Sequence, residues 1–382
     1  MKICVLNPFF YPYLGGTEKV LLELYKRLAK RHEVCVLSAA LQSGNSHDSE
    51  EEIEGIRVIR LRSSYINTPI FPIPMPIMHG IEDAIRKEDA DIYHINNRYL
   101  YYPKTLNAIG STGGKLVITL HNALPRRINP FIDIGGLAYD VVWGRRIMER
   151  ADAIVGITKN VVDTTVPPPL MNKASVIFNG IDYKRFRPRD KGEGKIRKIE
   201  EEIGEGEIVL NVARLTWQKG QAYLLRAFSE ALKERRDLKL LIIGKGHLHS
   251  FLHDEAERLG ITNKFKMLSD VREEMLPYYY NAAKVFVLPS LYEPASIALL
   301  EALASETPVV ASKVGGIPEM MKSTGRYVAP RDSTGIAESI IDALEDRKRS
   351  ERLAKEGRRL MEKEHDWDKI ANKYETLFRK IA

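Results

Sequence analysis

Short apolar runs alternate with amphipathic stretches along almost the whole chain. MKICVLNP opens it; GTEKVLLELYKRLAKR follows, with apolar residues at helical spacing behind Thr17 as an N-cap candidate; HEVCVLSAA is the next apolar run. Brief apolar runs bounded by turn residues predict buried strands, and the 3.6-residue period between them predicts a helix. Strand, helix and strand in such close succession point to a parallel sheet. IRVIRL, DIYHIN, KLVITLHN, ADAIVGIT and ASVIFNG continue the series and predict the strands of a first α/β domain.

A charged, Gly- and Pro-containing stretch, residues 183–207, interrupts this rhythm and is expected to be the linker between domains. The pattern then restarts with EIVLNVARL, LKLLIIGKG, KFKMLSD, KVFVLPS, TPVVAS and GRYVAP as strands. Helices are predicted over YLLRAFSEALKER, FLHDEAERLG, EEMLPYYYNA and EPASIALLEALAS, with Pro294 in the first turn of the last. From about Ser333 onward the chain reads as helical and highly charged. The expected fold class is α/β, with two Rossmann-like parallel-sheet domains, 1–185 and 186–365, facing across a cleft. In such sheets ligands bind at the carboxyl ends of the strands, and the cleft is the natural site.

Composition narrows the setting. Of 382 residues 44% are hydrophobic and 29% charged, which fits a folded protein of two domains rather than a disordered chain. No segment has the roughly 18 apolar residues needed to span a bilayer, and the N-terminus lacks a leader pattern, so a cytoplasmic protein is expected. Cys4 and Cys35 are too few for a disulfide framework or a zinc site and are expected to be buried thiols. The formal net charge of +7 favours anionic partners without selecting one, and no nucleic-acid-binding module is recognisable. Abundant Lys, Glu and Arg beside scarce Gln fit a thermophile's usage.

Several strand ends carry candidate chemistry. Gly15 and Gly16 precede the first helix, where paired glycines admit a ligand close to the backbone and the helix N-terminus favours an anion; an ordinary tight turn is the alternative. In NVARLTWQKG, Arg214 and Lys219 flank a strand-to-helix loop and form either a diphosphate clamp or two solvated cations. Gly244 and Gly246 end the following strand. His94 and His121 each stand at a strand's carboxyl end, as hydrogen-bonding groups for a substrate or as structural histidines. Glu293 and Glu301 are separated by seven residues on an otherwise apolar segment, and a solvated surface pair is the alternative to a site. Asp89 and Asp91 form a D-x-D, but at the amino end of a strand, so no metal site is expected there.

Taken in order, these segments resemble glycosyltransferase family 4, the group 1 glycosyltransferases of GT-B fold. The resemblance runs from PFFYPYLGGTEKVLLELYKRLAKRHEVCVL through VITLHN, ADAIVGIT and VIFNGIDYKRF. It continues in VARLTWQKG, LLIIGKG, VFVLPS, EPASIALLEALAS and TPVVAS with VGGIPEM. It implies a final helix, 366–382, crossing back to the first domain. It also implies hexose transfer from a nucleotide-sugar donor, a UDP- or GDP-sugar, with retention of configuration and no required cofactor or metal.

Residue by residue, the resemblance implies that Arg214 and Lys219 bind the donor diphosphate and that Glu301 accepts from the ribose hydroxyls. Glu293 is placed near the donor sugar, where its carboxylate can stabilise an oxocarbenium-like transition state. The N–H groups of Ala295, Ser296 and Ile297 address sugar or phosphate, and Gly244 lies at the same edge. Gly15 and Gly16 close over the donor, and His121 hydrogen-bonds the transferred sugar. The chain departs from the family's pattern at Ala295 and Ser296, where Phe-Gly is usual, and at Glu306, where Gly is usual.

The acceptor is expected to be lipid-linked or a saccharide. Two segments, 64–80 and 125–146, mix apolar, aromatic and basic residues, and form either a contact with an anionic membrane surface or internal packing. The alternatives to a transferase are a non-hydrolysing nucleotide-sugar epimerase and a non-catalytic nucleotide-sugar-binding relative.

Overall fold

A computed structural model describes residues 1–13, 15–40, 48–66, 75–96, 103–122, 143–190 and 192–382. The chain forms two compact units, residues 1–179 with 367–382, and residues 180–366.

The first unit contains β1 (Lys2–Leu6), β2 (Glu33–Ala39), β3 (Ser49–Ile53), β4 (Ile56–Leu61), β5 (Ser63–Ile66), β6 (Met75–Met78), β7 (Ile92–Ile95), β8 (Lys115–Leu120), β9 (Ala153–Gly156) and β10 (Ala174–Val176). Eight of these form one sheet in the order β10-β9-β8-β7-β1-β2-β4-β3, and β5 pairs with β6 separately. All neighbours in the large sheet are parallel except β3, which runs antiparallel to β4. The central strands are buried on both faces, which is why they read as continuous apolar runs. Cys4 and Cys35 pair across β1 and β2 as buried free thiols. The edge strand β3, Ser-Glu-Glu-Glu-Ile, was not expected from the sequence. Its charges face solvent and discourage pairing with another chain.

The second unit contains β11 (Glu207–Val212), β12 (Leu238–Ile243), β13 (Phe265–Leu268), β14 (Val285–Leu288), β15 (Val309–Ser312) and β16 (Arg326–Val328). Their order is β13-β12-β11-β14-β15-β16, all parallel. Counted from β11 this is the 3-2-1-4-5-6 order of a Rossmann sheet. Side chains alternate between two cores. Ile208, Leu210, Phe286 and Leu288 enter one, and Val209, Val285 and Val287 enter the other.

Two expectations need correction. The stretch 183–207 is not a bare linker, because helix Gly194–Ile203 lies within it and buries Ile196 and Ile199 in the core of the second unit. Two apolar positions one turn apart suffice to dock that helix, a signal too sparse to stand out among the charges. The helix after β14 begins at Ile297, with Ser296 as N-cap, so Pro294 precedes it rather than opening it.

The C-terminal helix Trp367–Ile381 packs in the first unit and buries Trp367, Ile370, Tyr374 and Phe378. Arg27 of helix Gly16–Leu28 and Arg31 in the turn just after it meet it through Asp368 at 2.8 Å and Glu375 at 2.7 Å. Among the described residues, no helix is long and apolar enough to cross a membrane. Much of the two segments considered for membrane contact, 67–74 within the first and 125–142 within the second, lies outside the described residues.

Candidate functional site

In the second unit the strand order reverses between β11 and β14, so the loops leaving those two strands open a crevice at the carboxyl edge. The loop after β11 carries Arg214 and Lys219, and the loop after β14 carries Glu293. They are stitched together, since the Leu291 N–H donates to the Gln218 carbonyl at 2.8 Å. Lys219 Nζ lies 2.5 Å from Glu293 Oε2, and Ser290 Oγ donates to the same oxygen at 3.1 Å. Glu293 is only 3% exposed. Taking a carboxylate out of water is costly, and the ammonium and hydroxyl compensate it.

Close backbone packing holds this edge rigid. A Cβ on Gly244 would fall 1.9 Å from the Ala213 carbonyl oxygen, so the loop after β12 can press against the Arg214 loop only with glycine there. Gly315, at φ +53°, sits with its Cα against Glu293, where a Cβ would lie 2.2 Å from the Glu293 carbonyl oxygen. The next residue, Gly316, donates its N–H to that same oxygen at 3.0 Å. Glu293 is thereby fixed by its backbone as well as by its side chain.

Helix Ile297–Ala304 leaves the crevice. Ser296 Oγ accepts from the Leu299 N–H at 3.2 Å, an N-cap that the family's usual glycine could not supply. No described residue accepts from the N–H groups of Ala295, Ser296 or Ile297, so three donors stand at the mouth of the helix beside the Lys219–Glu293 pair. Glu301 lies one turn in, 6% exposed on a helix otherwise made of Ile, Ala and Leu. Tyr280 donates its hydroxyl to Glu301 Oε2 at 2.8 Å, and burial followed by the Glu301 charge pushes the phenol well above its usual pKa. The phenol therefore remains a donor. Arg214 is exposed, with no side-chain partner among the described residues, a cation left available at the crevice.

The first unit has its own reversal between β1 and β7. A small cavity of about 40 Å³ is lined there by Asn7, Phe9, Glu18, Asn96 and His121, among others. Gly15 is the N-cap of the first helix in extended conformation, and a Cβ on it would meet the Glu18 carboxylate. A Cβ on Gly16 would meet nothing within 4 Å, so the backbone there is open to close approach. His121 Nε2 lies 3.3 Å from Asn96 Oδ1. Desolvation lowers the His121 pKa to about 4, which keeps the ring neutral near pH 7.

His94 is fully buried and structural. Its Nδ1 lies 2.7 Å from the Tyr25 hydroxyl and its Nε2 lies 2.7 Å from Thr119 Oγ1. Burial, and secondarily the neighbouring His121, lower its pKa to about 3.

The structure thus brings Arg214, Lys219, Gly244, Glu293, Ala295, Ser296, Ile297 and Glu301 to one edge of the second unit. Gly15, Gly16 and His121 lie at the corresponding edge of the first. Sequence reasoning missed Asn96, Tyr280, Ser290 and Gly315. All four stood in quoted segments, DIYHIN, EEMLPYYYNA, KVFVLPS and VGGIPEM, but nothing local singled them out from their neighbours. Asp91 lies at the amino end of β7, where its carboxylate accepts from the Lys2 N–H at 2.7 Å. Among the described residues, no group of three His, Cys, Asp or Glu side chains is placed to hold a metal.

Comparisons with known proteins agree with this arrangement. Residues 14–185 match the model of Glycosyltransferase Family 4, and residues 193–360 match that of Glycosyl transferases group 1. A glycosyltransferase of Methanocaldococcus jannaschii is 37% identical over 216 residues, a match spanning 55% of each chain and thus about half of that relative's length. Alpha-maltose-1-phosphate synthase of Mycolicibacterium smegmatis is 28% identical over 81% of this chain and 87% of its own. The crystal structure of HepE from Anabaena in complex with UDP-glucose superposes with a TM-score of 0.79 at 21% identity, over 99% of both chains. With tandem family matches across its two Rossmann-like units, the chain belongs to glycosyltransferase family 4, the group 1 glycosyltransferases, and has the GT-B fold.

Proposed function

We propose that the chain is a retaining hexosyltransferase that moves a sugar from a UDP- or GDP-hexose to a lipid-linked or saccharide acceptor, without a required metal. The observation that carries this reading is the carboxyl edge of the second unit, which carries exposed Arg214, the Lys219–Glu293 pair and three N–H groups with no acceptor among the described residues. Relatives and structural neighbours support the donor class. One structural neighbour holds UDP-glucose, and a relative in Mycobacterium tuberculosis, 29% identical over about half of each chain, is a GDP-mannose-dependent mannosyltransferase.

In this reading Arg214 and Lys219 bind the diphosphate, whose charge grows as the glycosidic bond breaks. Cations and N–H groups already in place lower that barrier without reorganising. The helix mouth at Ala295, Ser296 and Ile297 adds donors for phosphate or sugar oxygens. Glu301, presented by Tyr280, accepts from the two ribose hydroxyls. Glu293 faces the anomeric carbon as it becomes cationic, and its hold on Lys219 couples the sugar end of the donor to its phosphate end. In the first unit, Gly16 admits the donor to the backbone and His121 hydrogen-bonds the transferred sugar. An acceptor carried by lipid would bring the protein to an anionic membrane surface as a peripheral partner.

The test is transfer itself. Purified protein is incubated with UDP- and GDP-hexoses and with saccharide or polyprenyl-phosphate-linked acceptors, and the product's anomeric proton is read by NMR. An α-linked product from an α-linked donor supports the reading. A β-linked product, or epimerised donor formed without acceptor, refutes it.

A further inference from the structure

Behind His121 runs a continuous buried chain of polar groups that reaches the C-terminal helix. Asn96 Oδ1 lies 3.3 Å from His121 Nε2, and Asn96 Nδ2 donates to the Tyr25 hydroxyl at 3.0 Å. Tyr25 meets His94 Nδ1 and His94 Nε2 meets Thr119 Oγ1, each at 2.7 Å, and Thr119 Oγ1 lies 3.2 Å from the Tyr374 hydroxyl. Tyr25, His94, Asn96, Thr119 and Tyr374 are all nine-tenths or more buried. So many interior polar groups on one path are costly unless each is satisfied, and these satisfy one another.

We propose that Asn96 is a positioning residue that locks His121 in the tautomer protonated at Nε2, so that His121 offers Nδ1 as an acceptor to a sugar hydroxyl. The argument is one of donors and acceptors. An amide nitrogen only donates, so the Asn96 bond to Tyr25 turns its carbonyl oxygen toward His121. That oxygen only accepts, so His121 Nε2 carries the hydrogen. A neutral imidazole has one N–H, which leaves Nδ1 as a lone pair, and no other described residue is placed against it. The same order runs inward: Tyr25 accepts from Asn96 and donates to His94 Nδ1, and His94 Nε2–H donates to Thr119. Tyr374 closes the path, and with it the C-terminal helix helps hold the orientation of a group at the wall of the cavity.

The consequence deepens the proposed function and rests on its placement of His121 at the donor. A lone pair attracts a hydroxyl and repels a phosphate oxygen, so His121 reads a hydroxyl of the hexose and not the diphosphate. The tautomer itself does not depend on that reading.

The test is long-range proton–nitrogen NMR on protein labelled with nitrogen-15 histidine, with His121→Gln used to assign the resonance. In wild-type protein at pH 7, His121 is expected to show a protonated Nε2 and an unprotonated Nδ1. Asn96→Ala is expected to give a mixture of tautomers, and to weaken nucleotide-sugar binding about three- to tenfold while leaving nucleoside-diphosphate binding unchanged. Wild-type His121 protonated at Nδ1, or a tautomer unmoved by Asn96→Ala, overturns the inference. A locked Nε2–H tautomer in a protein that binds no nucleotide sugar would leave the inference standing and reject the donor reading instead.

Discussion

Lys219 and Glu293 form a nearly buried ion pair, Nζ to Oε2 2.5 Å, joining the loop after β11 to the loop after β14 at the point where the strand order reverses. Read along the chain, they are a cation and an acid 74 positions apart with separate assignments, one to the donor diphosphate and one to the sugar. In the folded protein each compensates the other, so substitution of either affects both stability and binding.

Glu293→Leu and Lys219→Met, made singly, are expected to destabilise the protein by about 3–5 kcal/mol each, because each leaves a buried charge uncompensated. The double variant is expected to recover most of that loss. Urea unfolding of the four proteins forms a double-mutant cycle, and a coupling energy near zero would show that the pair is not buried as described.

Gly315→Ala is expected to cost roughly 1–3 kcal/mol from backbone strain at φ +53°, with a further penalty as the new methyl meets the Glu293 carbonyl. Because Gly316 donates to the same carbonyl, the displacement should reach the crevice and weaken nucleotide-sugar binding as well. Gly16→Ala, with open space around it, is the control and should leave stability within about 1 kcal/mol of wild type. Thermal melts and calorimetric titration of both variants check this.

The fold was legible in the sequence where strands are buried on both faces. VCVL, LLII and VFVL are unbroken apolar runs, and such runs arise only where neither face meets water. Strand β3 and helix Gly194–Ile203 were not legible, since their charged residues dominate and few apolar contacts dock them. Glu293, Glu301, Arg214 and Lys219 could be singled out because they punctuate strand ends and apolar helices. Their pairing could not, because it depends on how four loops stack through glycines. Asn96 and Tyr280 act through partners remote in sequence, His121 and Glu301, and carry no local mark.

Tyr280→Phe removes the hydroxyl donated to Glu301 at 2.8 Å and leaves a nearly buried carboxylate with one donor fewer. The expected cost is about 1–3 kcal/mol in stability. Nucleoside-diphosphate affinity should also fall, since Glu301 loses its fixed orientation. A variant that binds a nucleoside diphosphate as tightly as wild type would detach Tyr280 from the site.

Acid should destabilise the first unit in a defined window. His94 has a pKa of about 3 in the fold against about 6.5 unfolded, so between these values the unfolded chain binds a proton that the folded chain refuses. Its contribution is therefore present above pH 6.5 and is lost as pH falls toward 3, approaching about 1.4 kcal/mol per pH unit well below the upper limit. His94→Gln should lower stability at pH 7 and flatten this part of the profile. Urea midpoints from pH 7 to pH 4 give the slope, and an identical slope in the variant would contradict the assignment.

The most direct test of the donor site is calorimetric titration of UDP-glucose and GDP-mannose into wild-type protein, Arg214→Ala and Glu301→Ala. The site described here predicts saturable binding of at least one donor to wild type and a loss of roughly 1.5–3 kcal/mol in Arg214→Ala, where a charge-assisted contact to the diphosphate is removed. Glu301→Ala should lose affinity for the free nucleotide and the nucleotide sugar alike. Equal binding by all three proteins would contradict the placement of the donor in this crevice.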